Sequence, residues 1–253
     1  MLRTRIIPIL LLRNESLVKT IKFNKFSYLG DPANTVRIFN EIEVDELIFL
    51  DIMASRKKRK PNFRILNEIA SECFMPLCYG GGISNLEQAK KIFDIGFEKI
   101  SINTQANINP GLITEIANYF GSQSVIASID VKKNIFKQDK VITISNTKNT
   151  KKNPILWAKE VEELGAGEIL LTSIDREGTW EGFDLNLVRQ VTDNVSIPVI
   201  AHGGAGNIDH IKDVVINANA SAVALGSMVV FQKKDMGVLI NFPDRKKLEE
   251  VLL

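Results

Sequence analysis

Two aspartates stand where an acid or a base could act. Asp130 ends the apolar run VIASID and Asp51 ends ELIFLD, so both carboxylates are expected at the C-terminal ends of buried strands. A carboxyl group there can donate or accept a proton once burial and its neighbours tune its pKa. Asp51 precedes a polar loop, where an aspartate often caps the next turn. This structural role fits Asp51 better than Asp130, which is therefore the stronger candidate for acid-base chemistry.

Two glycine pairs indicate sites for anions. Gly81-Gly82 and Gly203-Gly204 each follow an apolar run and precede a stretch of helical period. Glycine lets backbone N–H groups approach a phosphate, and the positive end of the following helix dipole adds to the attraction. A tight strand-to-helix turn is the other use of such pairs, and both remain open. Residues after other strands could complete two such sites: Asn103, Thr104, Gly178, Gly226 and Ser227.

The glycine pairs belong to an internal repeat. The shift that carries the first pair to the second also carries Asn85 to Asn207. A duplicated strand, glycine pair and helix implies two matched half-units. The repeat fails at the predicted acid, because aligning RIIPILL with SVIASID sets Leu11 opposite Asp130. Leucine cannot move a proton, so one carboxylate of a potential pair is absent.

Four charged residues lie at the opposite ends of the predicted strands: Arg5, Glu46, Lys99 and Glu168. Two bases and two acids around one end of a barrel could form an alternating ring of salt bridges. Separate solvated charges are the commoner arrangement at a rim, and the spacing alone favours them.

A scaffold must bring these strand ends together. Eight short apolar runs alternate with stretches whose apolar residues recur three and four apart, as on one face of a helix. The runs are IIPILL, ELIFLD, MPLCY, KISI, VIASID, EILLTS, IPVIA and AVAL. Alternation of this kind predicts parallel strands buried on both faces.

The number of units favours a closed barrel. Eight strand-helix units in 253 residues predict one (β/α)8 domain over residues 1–253, an α/β fold built from two homologous half-barrels. An open doubly wound sheet uses the same alternation but rarely needs eight evenly spaced strands and a half-length repeat. Residues 132–153 break the rhythm and predict a hairpin inserted after the fifth strand.

Composition excludes several classes of protein. Lys and Arg total 32 against 30 Asp and Glu, and the net charge of +2 argues against general binding of nucleic acid or anionic membranes. Two cysteines, Cys73 and Cys78, make neither a disulfide framework nor a zinc quartet, and no metal site is predicted. The apolar run at residues 6–12 is too short to span a bilayer. We expect a cytoplasmic protein.

Motifs along nearly the whole chain resemble the cyclase subunit of imidazole glycerol phosphate synthase. They are RIIP, DELIFLDI, GGGI, KISINT, GEILLTSIDREGT and IPVIAHGGAGN. The resemblance implies a (β/α)8 barrel paired with a glutaminase subunit at the N-terminal ends of its strands. Ammonia would cross the barrel and react with a bis-phosphorylated aminoimidazole carboxamide ribonucleotide. This lyase-type reaction gives imidazole glycerol phosphate and a purine precursor, and it implies no cofactor.

The resemblance also assigns roles to residues of this chain. Lys19, in the first loop, would contact the substrate. Asp130 matches one of the family's two catalytic aspartates. One substrate phosphate falls to Gly82, Asn103 and Thr104, and the other falls to Gly178, Gly204, Gly226 and Ser227. Gly81 and Gly203 are predicted at these sites as the first members of the two glycine pairs. The gate for ammonia falls to Arg5, Glu46, Lys99 and Glu168.

Departures from the family pattern indicate a divergent member. Leu11 stands where a second catalytic aspartate belongs, and residues 146–150 replace a glycine-rich segment. These changes resemble a paralogous branch found with surface-polysaccharide gene sets. There a similar barrel and its glutaminase supply ammonia to an N-acetyl sugar amidotransferase.

Three alternatives stay open. The first is a conventional synthase subunit of L-histidine biosynthesis. The second is a non-catalytic partner that activates and gates a glutaminase. The third is a phosphosugar isomerase on the same barrel, although that isomerase would also need an aspartate at position 11.

Overall fold

The computed structural model describes residues 4–144 and 146–252. Its strands, in chain order, are β1 Arg5–Arg13, β2 Ser16–Ile21, β3 Asn24–Gly30, β4 Leu47–Asp51, β5 Leu77–Gly80, β6 Lys99–Ile102, β7 Val125–Lys133, β8 Asp139–Thr143, β9 Lys148–Asn149, β10 Glu168–Ser173, β11 Val199–His202 and β12 Ala222–Leu225. Its α-helices are α1 Pro32–Ile42, α2 Phe63–Glu72, α3 Leu86–Ile95, α4 Thr104–Ile108, α5 Gly111–Phe120, α6 Pro154–Glu163, α7 Leu185–Thr192, α8 Ile208–Ala218, α9 Ser227–Val230 and α10 Arg245–Leu252.

Eight parallel strands close into a barrel, as the sequence predicted. Their order around the barrel is β10, β11, β12, β1, β4, β5, β6 and β7, and β7 pairs with β10 to close it. These are the eight apolar runs of the sequence. We call the N-terminal ends of these strands the floor and their C-terminal ends the mouth.

The barrel strands are buried on both faces, which explains their continuously apolar sequences. Side chains that point outward pack against the surrounding helices in the larger core, for example Phe49 and Tyr79. Side chains that point inward form a second, smaller core with Ile7, Ile48 and Ile200 at its centre. Because side chains alternate along a strand, residues two apart face the same side.

Two hairpins extend the barrel at its mouth. The predicted insertion after the fifth barrel strand is confirmed, since β7 runs on to Lys133 and pairs antiparallel with β8, which pairs with β9. A second hairpin, β2–β3, follows β1 and was not predicted. Its two-residue turn consists of Lys22 and Phe23, both with positive φ, 53° and 58°. Such turns strongly favour Asn-Gly, so the residue types Lys and Phe do not predict this one.

The repeat is visible in the local structure. Asn85 caps α3 by accepting a hydrogen bond from the backbone N–H of Gln88 at 3.0 Å, and Asn207 caps α8 by accepting one from His210 at 2.9 Å. These caps follow the two glycine pairs at equivalent positions. Within the described residues, no helix is long and apolar enough to cross a membrane.

Candidate active site

Two adjoining cavities open at the mouth of the barrel. The first encloses about 910 Å³ including its open side. Its walls include Leu11, Phe23, Phe26, Asp51, Gly81, Gly82, Asn103, Thr104, Asp130, Thr172 and His202. Lys19, Gly178, Trp180 and Ser227 line the second, and Thr20 belongs to both walls. The cavity walls therefore collect predicted site residues from both halves of the sequence.

Asp130 lies at the bottom of the first cavity, on β7, and is nearly buried. The side-chain amide of Asn103 donates to its Oδ2 at 2.9 Å, and Thr172 on the neighbouring strand β10 is its register partner. Burial raises the pKa of Asp130 to about 7, although the Thr172 hydroxyl and the Asn103 amide act in the opposite direction. An acid in this state can both donate and accept a proton near neutral pH.

His202 is a second buried titratable group in this cavity. It ends β11, and its Nδ1 lies 3.1 Å from Oγ1 of Thr172. Thr172 is the register partner of both Asp130 on β7 and His202 on β11. Burial, together with the nearby charge of Lys19, lowers the pKa of His202 to about 4, so its imidazole is neutral at neutral pH.

Lys19 does not lie in a loop, as the sequence had suggested, but on β2. Its ammonium group is buried and donates to the carboxylate of Glu177 and to the backbone oxygen of Thr20. Glu177 also accepts from the Thr20 hydroxyl at 3.0 Å and from the backbone N–H of Phe23 at 3.1 Å. This one buried carboxylate thus holds the β2–β3 hairpin over the mouth.

Asp51 closes a turn rather than standing free at the mouth. Its Oδ1 accepts from the backbone N–H groups of Met53 at 2.9 Å and Ala54 at 3.0 Å, and Arg59 lies 3.8 Å from Oδ2. Burial still raises its pKa. These contacts match the capping role that its place before a polar loop had suggested.

The glycine pairs are required by close backbone packing. A Cβ on Gly82 would stand 2.4 Å from the carbonyl oxygen of Arg59, and one on Gly204 would stand 2.1 Å from that of Gly182. Both glycines also have positive φ, 71° and 109°. Among the described residues that line the two cavities, Gly203 and Gly204 do not occur. Tight turns therefore account for both pairs, and a phosphate contact remains a prediction.

The remaining residues predicted to contact a phosphate include Thr104, Gly178 and Gly226. Thr104 begins α4, and its hydroxyl oxygen accepts from the backbone N–H of Ile144 at 3.3 Å. A Cβ on Gly178 would stand 2.6 Å from the carbonyl oxygen of Thr20, and one on Gly226 would stand 2.8 Å from Cε of Lys19. Gly178 and Gly226 thus let β2 approach the second cavity closely.

At the floor, the four predicted charges form one closed ring, which we call the floor ring. The Arg5 guanidinium donates to Glu46 at 2.8 Å and to Glu168 at 2.9 Å. The Lys99 ammonium donates to Glu46 at 3.1 Å and to Glu168 at 2.9 Å. These are not separate solvated charges, since the Glu46 side chain is only 4% exposed.

Between floor ring and cavity, β6 carries polar side chains through an apolar interior. Lys99 and Ser101 lie on its inward side, and Asn103, directly after the strand, reaches Asp130. Among described side chains, four polar atoms are buried without a hydrogen-bond partner. Asn107 Oδ1 lies on α4, and the other three, Glu46 Oε1, the Ser101 hydroxyl and Asn103 Oδ1, follow the line from the floor ring to Asp130. Unpartnered buried polar atoms are rare and costly, so their alignment calls for an explanation.

Sequence reasoning missed Thr172 and His202 as parts of the site. Period-two alternation could have identified Thr172, which stands two residues after the inward-pointing Leu170 and opposite Asp130 in the register. The sequence does not show that Glu177 anchors a hairpin, because its partners come from a hairpin that carries no turn signal.

The fold and the cavities define a class, namely (β/α)8 barrels with cavities at the C-terminal ends of their strands. Residues 5–235 match the family described as histidine biosynthesis protein, and the chain belongs to that family. It is 52% identical to a Pseudomonas aeruginosa protein provisionally named imidazole glycerol phosphate synthase subunit hisF2, over 98% of this chain and 99% of that protein.

Two further relatives carry similar names. A Vibrio vulnificus protein, provisionally named imidazole glycerol phosphate synthase subunit hisF3, is 44% identical over 100% of this chain and 97% of that protein. The imidazole glycerol phosphate synthase subunit HisF of Chlorobium phaeobacteroides is 44% identical over 92% of each chain.

Proposed function

We propose that this chain is the ammonia-accepting barrel subunit of a glutamine amidotransferase complex of the imidazole glycerol phosphate synthase type. A glutaminase subunit would bind at the floor and release ammonia there. The barrel would deliver this ammonia to a phosphorylated ligand at the mouth, with Asp130 as an acid or base. In this proposal the complex belongs to the lyase-type synthases and needs no cofactor.

The polar line on β6 is the observation that carries the proposal. Ammonia both donates and accepts hydrogen bonds, so it can pair in turn with Glu46 Oε1, the Ser101 hydroxyl and Asn103 Oδ1, which lack partners. The line begins at the floor ring and ends at Asp130. Opening the ring between Arg5 and Lys99 would admit ammonia while still excluding bulk solvent.

The ligand's phosphates would occupy the two cavities. Gly82, Asn103 and Thr104 line the first, and Gly178 and Ser227 line the second. Lys19 lines the second cavity, and its salt bridge with Glu177 balances its charge. Its ammonium group would have to break that salt bridge to contact a phosphate.

For the final acceptor we propose an N-acetyl sugar, amidated by a separate amidotransferase in surface-polysaccharide synthesis. Leu11 lines the first cavity with Asp130, and leucine cannot share in proton transfer. Loss of one general acid or base lowers a rate by about 10²-fold to 10⁴-fold. The numbered names hisF2 and hisF3 of two relatives fit a branch beside the histidine pathway.

The second candidate is the conventional synthase subunit of L-histidine biosynthesis. The floor ring, Asp130 and the relative from Chlorobium phaeobacteroides favour it. Growth of a histidine auxotroph that lacks its cyclase subunit separates the candidates. We expect no rescue by this chain, and robust rescue with Leu11 unaltered would overturn the sugar-amidation proposal.

A biochemical arm tests ammonia delivery itself. The chain and its glutaminase subunit are mixed with glutamine and the bis-phosphorylated ribonucleotide, and product formation is followed spectroscopically. We expect glutamine hydrolysis with ribonucleotide turnover reduced by about 10²-fold or more relative to hydrolysis. If the chain neither binds nor stimulates the glutaminase, the proposed complex is wrong.

A further inference from the structure

We propose that His202 is a second proton-transfer group of the mouth site, coupled to Asp130 through the hydroxyl of Thr172. We call these three residues the relay. The inference rests on the proposed function, because it assigns a proton-transfer role within the same ligand cavity. It adds an acid-base group on β11, two strands away from Asp130 on β7, with Thr172 on the strand between them.

The geometry of the relay restricts its protons. Thr172 has a single hydroxyl proton and stands between the Asp130 carboxylate and Nδ1 of His202, which is 3.1 Å from Oγ1. When Asp130 is charged, Thr172 donates to it and therefore accepts from Nδ1–H of His202. Nε2 then carries a lone pair. When Asp130 is protonated, it donates to Thr172, Thr172 donates to Nδ1, and the imidazole proton is on Nε2.

A proton can therefore pass through the relay without any net charge on the histidine. Nε2 of His202 takes a proton from a ligand group while Nδ1–H is donated to Thr172. Thr172 in turn gives its own proton to the Asp130 carboxylate. The ligand loses one proton, Asp130 gains it, and His202 changes from the Nδ1–H to the Nε2–H tautomer. The reverse sequence delivers a proton to the ligand.

The surroundings keep His202 neutral and its outer nitrogen near the ligand cavities. Nε2 would lie 3.7 Å from a Cβ on Gly226, at the border of the second cavity. The charged groups that face the relay are Lys19 on β2 and Glu177 after β10, and these two form a salt bridge with each other. An imidazolium beside Lys19 would be disfavoured, whereas a change of tautomer is not.

The repeat shows that the relay belongs to one half of the barrel. The shift that carries Gly81 to Gly203 also relates Leu50 to Thr172 and Gly80 to His202. Leu11 was already the counterpart of Asp130. One half of the mouth therefore presents Leu11, Leu50 and Gly80 to the cavity, and the other presents the relay. Proton transfer is concentrated on a single wall, which faces an apolar one.

Nuclear magnetic resonance of the full-length chain with ¹⁵N-labelled histidine tests the proposal. The chain has 2 histidines, so assignment needs only the variant His210→Gln. Nδ1 of His210 accepts from the backbone N–H of Gly206 at 3.2 Å, so the neutral form of His210 carries its proton on Nε2. As pH rises past about 7, where Asp130 loses its proton, the proton of His202 should move from mostly Nε2 to mostly Nδ1.

Matched variants decide what causes the change. Asp130→Asn and Thr172→Val should each abolish the switch of tautomer, and Thr172→Ser should keep it. A single His202 tautomer on both sides of this pH, a switch that persists in Asp130→Asn, or formation of an imidazolium near neutral pH would each overturn the relay. The spectra need no glutaminase or ligand, so failure of ammonia delivery would not affect them. A fixed tautomer would leave the proposed function standing.

Discussion

The substitutions Asp130→Asn and His202→Asn should change the pH dependence of folding stability in opposite directions. Burial raises the pKa of Asp130 from 3.8 to about 7, so between these values the folded chain holds a proton that the unfolded chain has released. Stability therefore falls as pH rises through this window. A pKa difference of this size corresponds to about 4 kcal/mol of unfolding free energy.

His202 has the opposite effect. Burial lowers the pKa of His202 from 6.5 to about 4, so between these pH values the unfolded chain binds a proton that the folded chain does not bind. The contribution of His202 to stability is therefore complete above pH 6.5 and is lost as the pH falls toward about 4. The corresponding free energy is about 3 kcal/mol. In the native chain the two contributions overlap and nearly cancel over most of the mildly acidic range.

Urea unfolding followed by circular dichroism, from about pH 4.5 to about pH 8, measures both effects. Relative to the native chain, Asp130→Asn should gain about 3 kcal/mol over this range as pH rises, and His202→Asn should lose a similar amount. Other carboxylates act equally in all three proteins, so only the differences are interpreted. The two differences are the unfolding free energies of Asp130→Asn and of His202→Asn relative to the native chain. If both are independent of pH, or if both change with pH in the same direction, then burial does not shift the two pKa values in opposite directions.

Two further predictions concern the floor ring and the glycine turns. Lys99→Met removes two of the four contacts of the ring and should lower the unfolding free energy by about 2 kcal/mol. The control change Lys90→Met breaks one exposed salt bridge and a contact with the Tyr119 ring, and it should lower the unfolding free energy much less in the same urea experiment. Gly82→Ala brings a Cβ to 2.4 Å from a carbonyl oxygen and should cost about 3 kcal/mol or more. Gly96→Ala has positive φ but nothing within 4 Å, so its cost should stay near 1 kcal/mol, and equal melting temperatures for these two variants would contradict the packing argument.

The barrel could be predicted because its signals are local and repeated. Each strand is apolar on both faces, each helix has an apolar stripe, and neither pattern depends on distant residues. The β2–β3 hairpin has no such signal. Its turn forces Lys22 and Phe23 into positive φ, and a tertiary partner stabilises it, since Glu177 accepts from Phe23 and its backbone oxygen accepts from Lys22 at 2.9 Å. A turn held from outside cannot be recognised in its own sequence.

The candidate site was predictable only in part for a related reason. Asp130 could be found because it breaks an apolar run at a strand end. Thr172 and His202 matter through their register with Asp130, and register between strands far apart in sequence is fixed only when the barrel closes. From the sequence alone the four floor charges could be either separate or paired. Closure of the barrel decides for the ring, because it brings the Arg5 guanidinium within 3 Å of Glu46, directly before β4, and of Glu168, which begins β10.

Inward alternation on the strands explains how such a barrel can change its chemistry without losing its fold. Lys99 and Ser101 occupy inward positions on β6 and Asn103 follows directly after it, so one strand links the floor ring to Asp130. A shift of one residue would turn all three outward, and burial therefore fixes the register firmly. Within that register a single inward residue can be exchanged at little cost to the outer core. The chain's two halves show this freedom directly, because equivalent strand ends carry Leu11 in one half and Asp130 in the other. Side chains at the mouth are thus free to diverge while the polar line between the floor ring and Asp130 is retained.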